Sequence, residues 1–234
     1  MLRRTASSRF AAGAYVFPGG VVEESDAQLD TAHFTDGINE QESTTHKTLR
    51  QFKTAAVRET LEESGILVST NMVGKNLGSK QRENFQNGVT PLDVLLKELG
   101  VKIDLTGLVF YDHWITPEGA PIRFDTRFFL ARYSGHQELI HNEQEMNSSC
   151  WASSQEIIDL YEKKQIKLMP VTHVQLKRLS EFSTIEALFE AANQSVNIEP
   201  VLPVLNYSDS GEVISVSIPL MSGVVEYPVF LKQK

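Results

Sequence analysis

Apolar and polar positions alternate in blocks along the chain of 234 residues, and the blocks predict alternating strands and helices. Residues 14–17 form a short apolar run stopped by Pro18-Gly19-Gly20, a strand that ends in a turn. Residues 23–45 are polar and lack periodicity, which predicts an exposed insertion. A helix is expected from Thr44 or Thr45, either of which suits an N-cap, through Glu63. Leu49, Phe52, Ala56 and Thr60 recur at three- and four-residue steps on its core side, and Gly65 follows as a C-terminal stop. A strand should open at 66–68, followed by a polar loop over 71–87 and a helix over 90–99. Strands are expected at 108–115 and 126–133, flanking Pro117-Glu118-Gly119-Ala120. A short helix over 155–162 and a longer one over 171–192 follow. Two apolar runs, 201–207 and 213–220, flank Asp209-Ser210-Gly211 near the tail. Mixed strands and helices of this kind predict an α/β or α+β sandwich.

Composition narrows the possibilities. With 30 acidic and 22 basic residues the formal charge is −8, which argues against duplex DNA as a partner. The lone Cys150 forbids an intrachain disulfide and any multi-cysteine zinc site, and reads as a bystander thiol. No apolar run is long enough to span a membrane. His33, His46, His113, His136, His141 and His173 show no metal-ligand spacing; His113, beside Trp114, merits attention if a substrate cavity lies there.

The informative stretch is 55–67, AAVRETLEESGIL. Glu59, Glu62 and Glu63 stand at i, i+3 and i+4, so three carboxylates share one helical face. Like charges at that spacing repel and call for a counter-charge, either Arg58 and neighbouring bases or a divalent cation. Alone, such a face is most often simply solvated. Here, however, residues 58–66 resemble the second half of the box of the Nudix hydrolase family, G-x5-E-x7-R-E-U-x-E-E-x-G-U with U apolar. Only Thr60 departs from it. The first half begins at Gly20, with Asp26 where the family has Glu, and then an insertion at about 27–45 interrupts the motif. The resemblance implies a Nudix-type α/β/α sandwich with a mixed central sheet, bound Mg²⁺ or Mn²⁺, and hydrolysis of a nucleoside-linked diphosphate. It assigns Glu59, Glu62 and Glu63 to the metal and Arg58 to orienting them, and it leaves the role of Asp26 open. Glu145, with Glu143 second, is the candidate later carboxylate because an acid often stands shortly before a tryptophan in the family, here Trp151.

Arg4-Thr5, Arg9, Gly13 and Phe17-Pro18-Gly19-Gly20 keep the spacing of a motif seen in coenzyme A-hydrolysing Nudix proteins. Guanidinium groups suit the phosphates of such a substrate, and glycines allow close backbone approach. Trp114 to Pro117, Arg123 to Phe129 and Leu168-Met169-Pro170 resemble the peroxisomal acyl-coenzyme A diphosphatase branch. The expectation is a coenzyme A or acyl-coenzyme A diphosphatase, with Arg4, Arg9, Gly19, Gly20 and Arg123 contacting substrate. Another nucleoside diphosphate derivative such as ADP-ribose or a sugar nucleotide, and a non-catalytic binding module, are the competing readings. Residues 1–195 are expected to form the catalytic domain and 196–234 an extension packed on it. The basic start (Arg3, Arg4, Arg9) superficially resembles an organellar presequence, and the terminal Lys-Gln-Lys is not a peroxisomal address. A cytoplasmic location is therefore expected, with mitochondrial or peroxisomal residence as alternatives.

Overall fold

The computed structural model describes residues 1–8, 10–35, 48–68, 77–133, 135, 137–195 and 197–228. The described strands and helices are β1 (Leu2–Arg4), β2 (Ala14–Val16), α1 (Glu24–Gln28), α2 (Leu49–Ser64), α3 (Ser79–Gln86), α4 (Leu92–Leu99), β3 (Leu108–Ile115), β4 (Asp125–Ala131), β5 (Met146–Ser149), α5 (Ser154–Glu162), β6 (Lys167–Leu168), α6 (Pro170–Ser180), α7 (Ile185–Gln194), β7 (Val204–Tyr207), β8 (Val213–Leu220) and β9 (Gly223–Pro228). They group into two compact units, one of Met1–Val109 with Leu130–Leu188, the other of Phe110–Phe129 with the described residues from Phe189 onward.

The first unit holds a mixed sheet in the order β5-β1-β2-β6, with β2 and β6 parallel and the other pairs antiparallel. β1 and β5 do not stand out in the sequence because each is short and mostly polar. Pairing with neighbours on both sides, not local pattern, makes β1 a strand, with Leu2 1% exposed. α2 begins with a reciprocal cap: the Thr48 hydroxyl accepts from the Gln51 N–H, and the Gln51 side chain accepts from the Thr48 N–H at 2.7 Å. The expected caps Thr44 and Thr45 lie outside the described residues. The helix ends at Gly65, whose φ of 71° is left-handed and whose N–H reaches Leu61 O at 2.8 Å.

Several expectations need correction. The buried residues of α2 are Thr54, Ala55, Val57, Arg58, Leu61, Glu63 and Ser64, whereas Leu49, Phe52, Ala56 and Thr60 are half-buried. Apolar periodicity missed this because the buried set includes charged residues and hydroxyls bonded back to the helix, such as Thr54 to Arg50 O at 2.9 Å. Residues 23–35 are not a plain exposed insertion. They contain α1 and a 3₁₀ turn at Thr31–His33, and they bury Asp26, Leu29, His33 and Phe34. Residues 66–68 form no strand: the Gln137 side-chain amide takes the backbone N–H and C=O of Leu67 at 2.9 and 2.8 Å. The expected loop over 71–87 contains α3. The expected long helix over 171–192 is two helices, because the Thr184 hydroxyl accepts from Ala187 N and starts α7 afresh.

In the second unit β3 pairs with β4, and β7-β8-β9 form an antiparallel meander with Val216 opposite Leu205 and Tyr227. The grouping of residues 110–129 with the tail is marked by the pair of hydrogen bonds between Val201 and β3, at His113 O and Ile115 N. No helix is long and apolar enough to cross a membrane among the described residues.

Candidate active site

The acid-rich end of α2 is organised by its own arginine. Arg58 is only 8% exposed, and its guanidinium is fully engaged. Nε donates to Asp26 Oδ1 at 2.9 Å and Nη2 to Asp26 Oδ2 at 3.1 Å; Nη2 also donates to Val21 O at 2.8 Å. The remaining arm, Nη1, reaches Glu59 Oε1 at 2.9 Å and Glu62 Oε2 at 3.4 Å. A forked pairing of this sort fixes the guanidinium plane. Asp26 therefore has a clear role: across the interrupted motif it holds Arg58, which holds two glutamates. Its placement is local, since its carboxylate also accepts from Glu23 N at 2.8 Å in the first turn of α1.

The glycine pair supplies the other wall. Gly19, at φ 153°, donates its N–H to Glu63 Oε2 at 2.9 Å. Gly20 lies against the Glu59 carboxylate, and a Cβ there would stand 2.4 Å from Oε1. The sequence Phe17-Pro18-Gly19-Gly20 thus makes a backbone cradle into which two carboxylates of α2 fit.

The acids crowd one another. Burial is the main cause that pushes Glu59 up to about 7; Arg58 opposes it, while Glu62 and Glu145 add to it. Burial also raises Glu63 to about 8, against the Gly19 N–H, with help from Glu59 and Glu145 and against Arg4. Glu62 is raised by burial, held down by Arg58, and raised further by Glu145 and Glu23. For Arg58 burial disfavours the charge, but its hydrogen bonds to Asp26 and the charges of Glu59 and Asp26 outweigh it and raise its pKa. Glu145, exposed on the turn before β5, is thus the later acid that acts on the cluster. Glu143 instead lines a cleft with Gln86 and Asn87.

This donor set suits a hard divalent cation: all ligating candidates are carboxylate oxygens, and one guanidinium does not balance them. Among the described residues no three acids, histidines or cysteines stand close enough to grip an ion as they are. The residues that would hold such a cation are the helical glutamates Glu59, Glu62 and Glu63.

A stability signature follows. In the metal-free protein Glu59 and Glu63 titrate near 7 and 8, against 4.5 for an ordinary glutamate. The folded chain keeps protons that the unfolded chain has lost in that window. Their contribution to stability is full below 4.5 and declines as pH rises towards 8. A cation that neutralises the charged form should offset the decline. Mg²⁺ or Mn²⁺ should thus raise the melting temperature more at about pH 8 than at about pH 5.5. Equal shifts at both, or none, would remove these acids from the cation site.

Of the other expected residues, Arg4 sits on β1 with its Nε buried and without a hydrogen-bond partner, and its charge acts on Glu63. Arg9 lies outside the described residues. Arg123 belongs to the second unit, where its Nε is tied to Thr116 O at 3.0 Å. His113 in that unit meets Asp125 Oδ1 at 2.5 Å, which Arg127 also reaches at 2.8 Å. Glu23 and Arg82 went unread in the sequence. Glu23 was hidden in the polar stretch, although an acid three residues before Asp26 is a capping signal; Arg82 was hidden in the expected loop.

The NUDT19 Nudix domain family matches residues 30–179, which span α2 and the loop carrying Glu145. This chain belongs to the Nudix hydrolase family, in its NUDT19 branch. It is 27% identical to the acyl-coenzyme A diphosphatase NUDT19 of Xenopus laevis, over 91% of this chain and 68% of that protein. The human protein of the same name is 25% identical, over 91% and 69%. A Caenorhabditis elegans protein whose name includes nudix hydrolase 7 is 28% identical over 77% of this chain, which spans 55% of that relative's length. The crystal structure of a NUDIX hydrolase from Alicyclobacillus acidocaldarius superposes with a TM-score of 0.68 at 25% identity, over 85% of this chain and 88% of that one.

Proposed function

We propose that this chain cleaves the diphosphate of coenzyme A or an acyl-coenzyme A, with Mg²⁺ or Mn²⁺, to adenosine 3′,5′-bisphosphate and the (acyl-)phosphopantetheine. The observation that carries the reading is the carboxylate face of α2, clamped by Arg58 and fitted into the Gly19-Gly20 cradle. A bound divalent cation supplies charge neutralisation of the diphosphate and an acidified water. Glu59, Glu62 and Glu63 are the residues that would hold it. Arg58 keeps the Glu59 and Glu62 side chains at one end of the helix, so little reorganisation is left for the moment of reaction. Glu145, an exposed acid on the turn before β5 whose charge bears on all three glutamates, would accept the proton of the attacking water. Arg4, with an unpartnered Nε near Glu63, meets a substrate phosphate oxygen. The names of the vertebrate relatives support the coenzyme A assignment, and the motif spacing at Arg4, Gly13 and Phe17 agrees with it.

A panel of coenzyme A, an acyl-coenzyme A, dephospho-coenzyme A and ADP-ribose with Mn²⁺ tests the substrate. The bisphosphate product and the highest kcat/KM are expected for coenzyme A or its thioester. Faster turnover of dephospho-coenzyme A or ADP-ribose would contradict the assignment.

Gly20→Ala probes the cradle. The atoms nearest the new methyl group all belong to the far end of the Glu59 side chain, so the carboxylate is displaced while the fold is kept. A displacement of that order should lower kcat by about 10- to 100-fold with little change in melting temperature. Unchanged turnover would show that the position of Glu59 is not needed.

A further inference from the structure

We propose that the cleft beside α3 is a phosphate-binding subsite whose charge is supplied by Arg82. Arg82 is 6% exposed, its Nε is sealed from solvent without a hydrogen-bond partner, and its guanidinium forms no ion pair among the described residues. An Nε–H sealed from water with no acceptor, on a guanidinium that pairs with no acid among the described residues, is a costly arrangement, relieved when an anion engages the group. Its stem is held in place by the end of α2. A Cβ at Gly65 would lie 2.7 Å from Arg82 Cδ and 3.0 Å from Nε, so the absence of a side chain there makes room for this arginine.

The cleft measures about 440 Å³ and is lined by Ser79, Arg82 and Gln86 of α3 and by Asn142 and Gln144 of the facing loop. The three α3 residues recur at three- and four-residue steps, so they form one stripe of the helix. Both walls are braced to the catalytic helix: Gln86 Nε2 donates to Glu62 O at 3.0 Å, and Asn142 N to Glu63 O at 3.1 Å. Two acids also line the cleft. Glu83 is drawn to Lys80 at 3.2 Å on the exposed rim, and Glu143 is exposed; neither bonds Arg82. The open face of Arg82 is therefore complementary to a phosphate group, which it can grip through paired donors. The phosphate comes either free from solution or as part of the nucleotide substrate. The second source rests on the function proposed above.

The experiment uses the full chain in EDTA, where no turnover occurs, titrated calorimetrically with inorganic phosphate and with adenosine 3′,5′-bisphosphate. Saturable binding at one site is expected, weakened at least about tenfold in Arg82→Gln and partly kept in Arg82→Lys. Binding should be retained or tightened in Glu143→Gln. Binding of inorganic phosphate alone marks a site for the free anion, and binding of the bisphosphate only marks a substrate subsite; both support the proposal. Absence of saturable binding for both ligands, or wild-type affinity in Arg82→Gln, overturns it. If that variant does not fold, the Nε–H resonance of Arg82 in the wild type decides: it must move on titration, and a stationary signal overturns the proposal. Hydrolysis of coenzyme A by the same protein after Mn²⁺ is restored separates the two readings. Hydrolysis without phosphate binding defeats the subsite alone, and binding without hydrolysis defeats the activity alone.

Discussion

Replacing Arg58 by methionine is expected to destabilise the protein by about 3–5 kcal/mol and to abolish turnover. Methionine keeps most of the stem's packing, so the loss is electrostatic. Asp26, only 1% exposed at its side chain, would keep a buried charge with its main partner gone, and Val21 O would lose its donor. Glu59, 13% exposed, would face Glu62 with no cation between them. Urea unfolding measures the effect as a fall in midpoint at unchanged slope. Arg58→Lys should recover only part of it, because an ammonium cannot serve Asp26, Glu59 and Val21 together. A loss below about 1 kcal/mol would mean that water replaces the guanidinium freely, and the cluster would not be the tightly held centre described above.

The second large effect concerns chemistry with the fold intact. Glu62→Gln should lower kcat at least about 100-fold. Glutamine has nearly the same shape but cannot carry the negative charge that would hold a divalent cation. At 34% side-chain exposure Glu62 is the most open of the three helical acids, and Arg58 reaches it at 3.4 Å, its longest contact. Stability should therefore change little. Circular dichroism melting together with steady-state kinetics on coenzyme A checks both halves. Activity within a few-fold of wild type would shift the catalytic role away from this face.

Much of this centre was legible because it is local. Glu59, Glu62 and Glu63 share a helix, so a period of 3.6 places them together whatever the remaining fold does. Gly65 announces the helix end, and Pro18-Gly19-Gly20 announces the turn opposite. What spacing cannot show is a contact across the interrupted motif. The pairing of Asp26 with Arg58 depends on α1, a five-residue helix in a stretch whose polarity suggested exposure. Burial of Arg58 likewise contradicts any reading that assigns charged residues to the surface, and so the inward face of α2 was misplaced. The missing strand at 66–68 has the same origin: a side-chain amide 70 residues away satisfies Leu67, and no local pattern encodes it. Short partner strands such as β5, whose Met-Asn-Ser-Ser sequence favours no particular structure, exist because β1 offers an edge.

The most direct test is a titration of Mn²⁺ into the metal-free chain, followed by electron paramagnetic resonance of the free ion. The wild type should remove at least one equivalent of Mn²⁺ from the free signal, and the double variant Glu59→Gln/Glu62→Gln should leave the signal as it is in buffer. Wild-type protein that leaves the free Mn²⁺ signal undiminished, or a double variant that binds as well as wild type, would contradict the account.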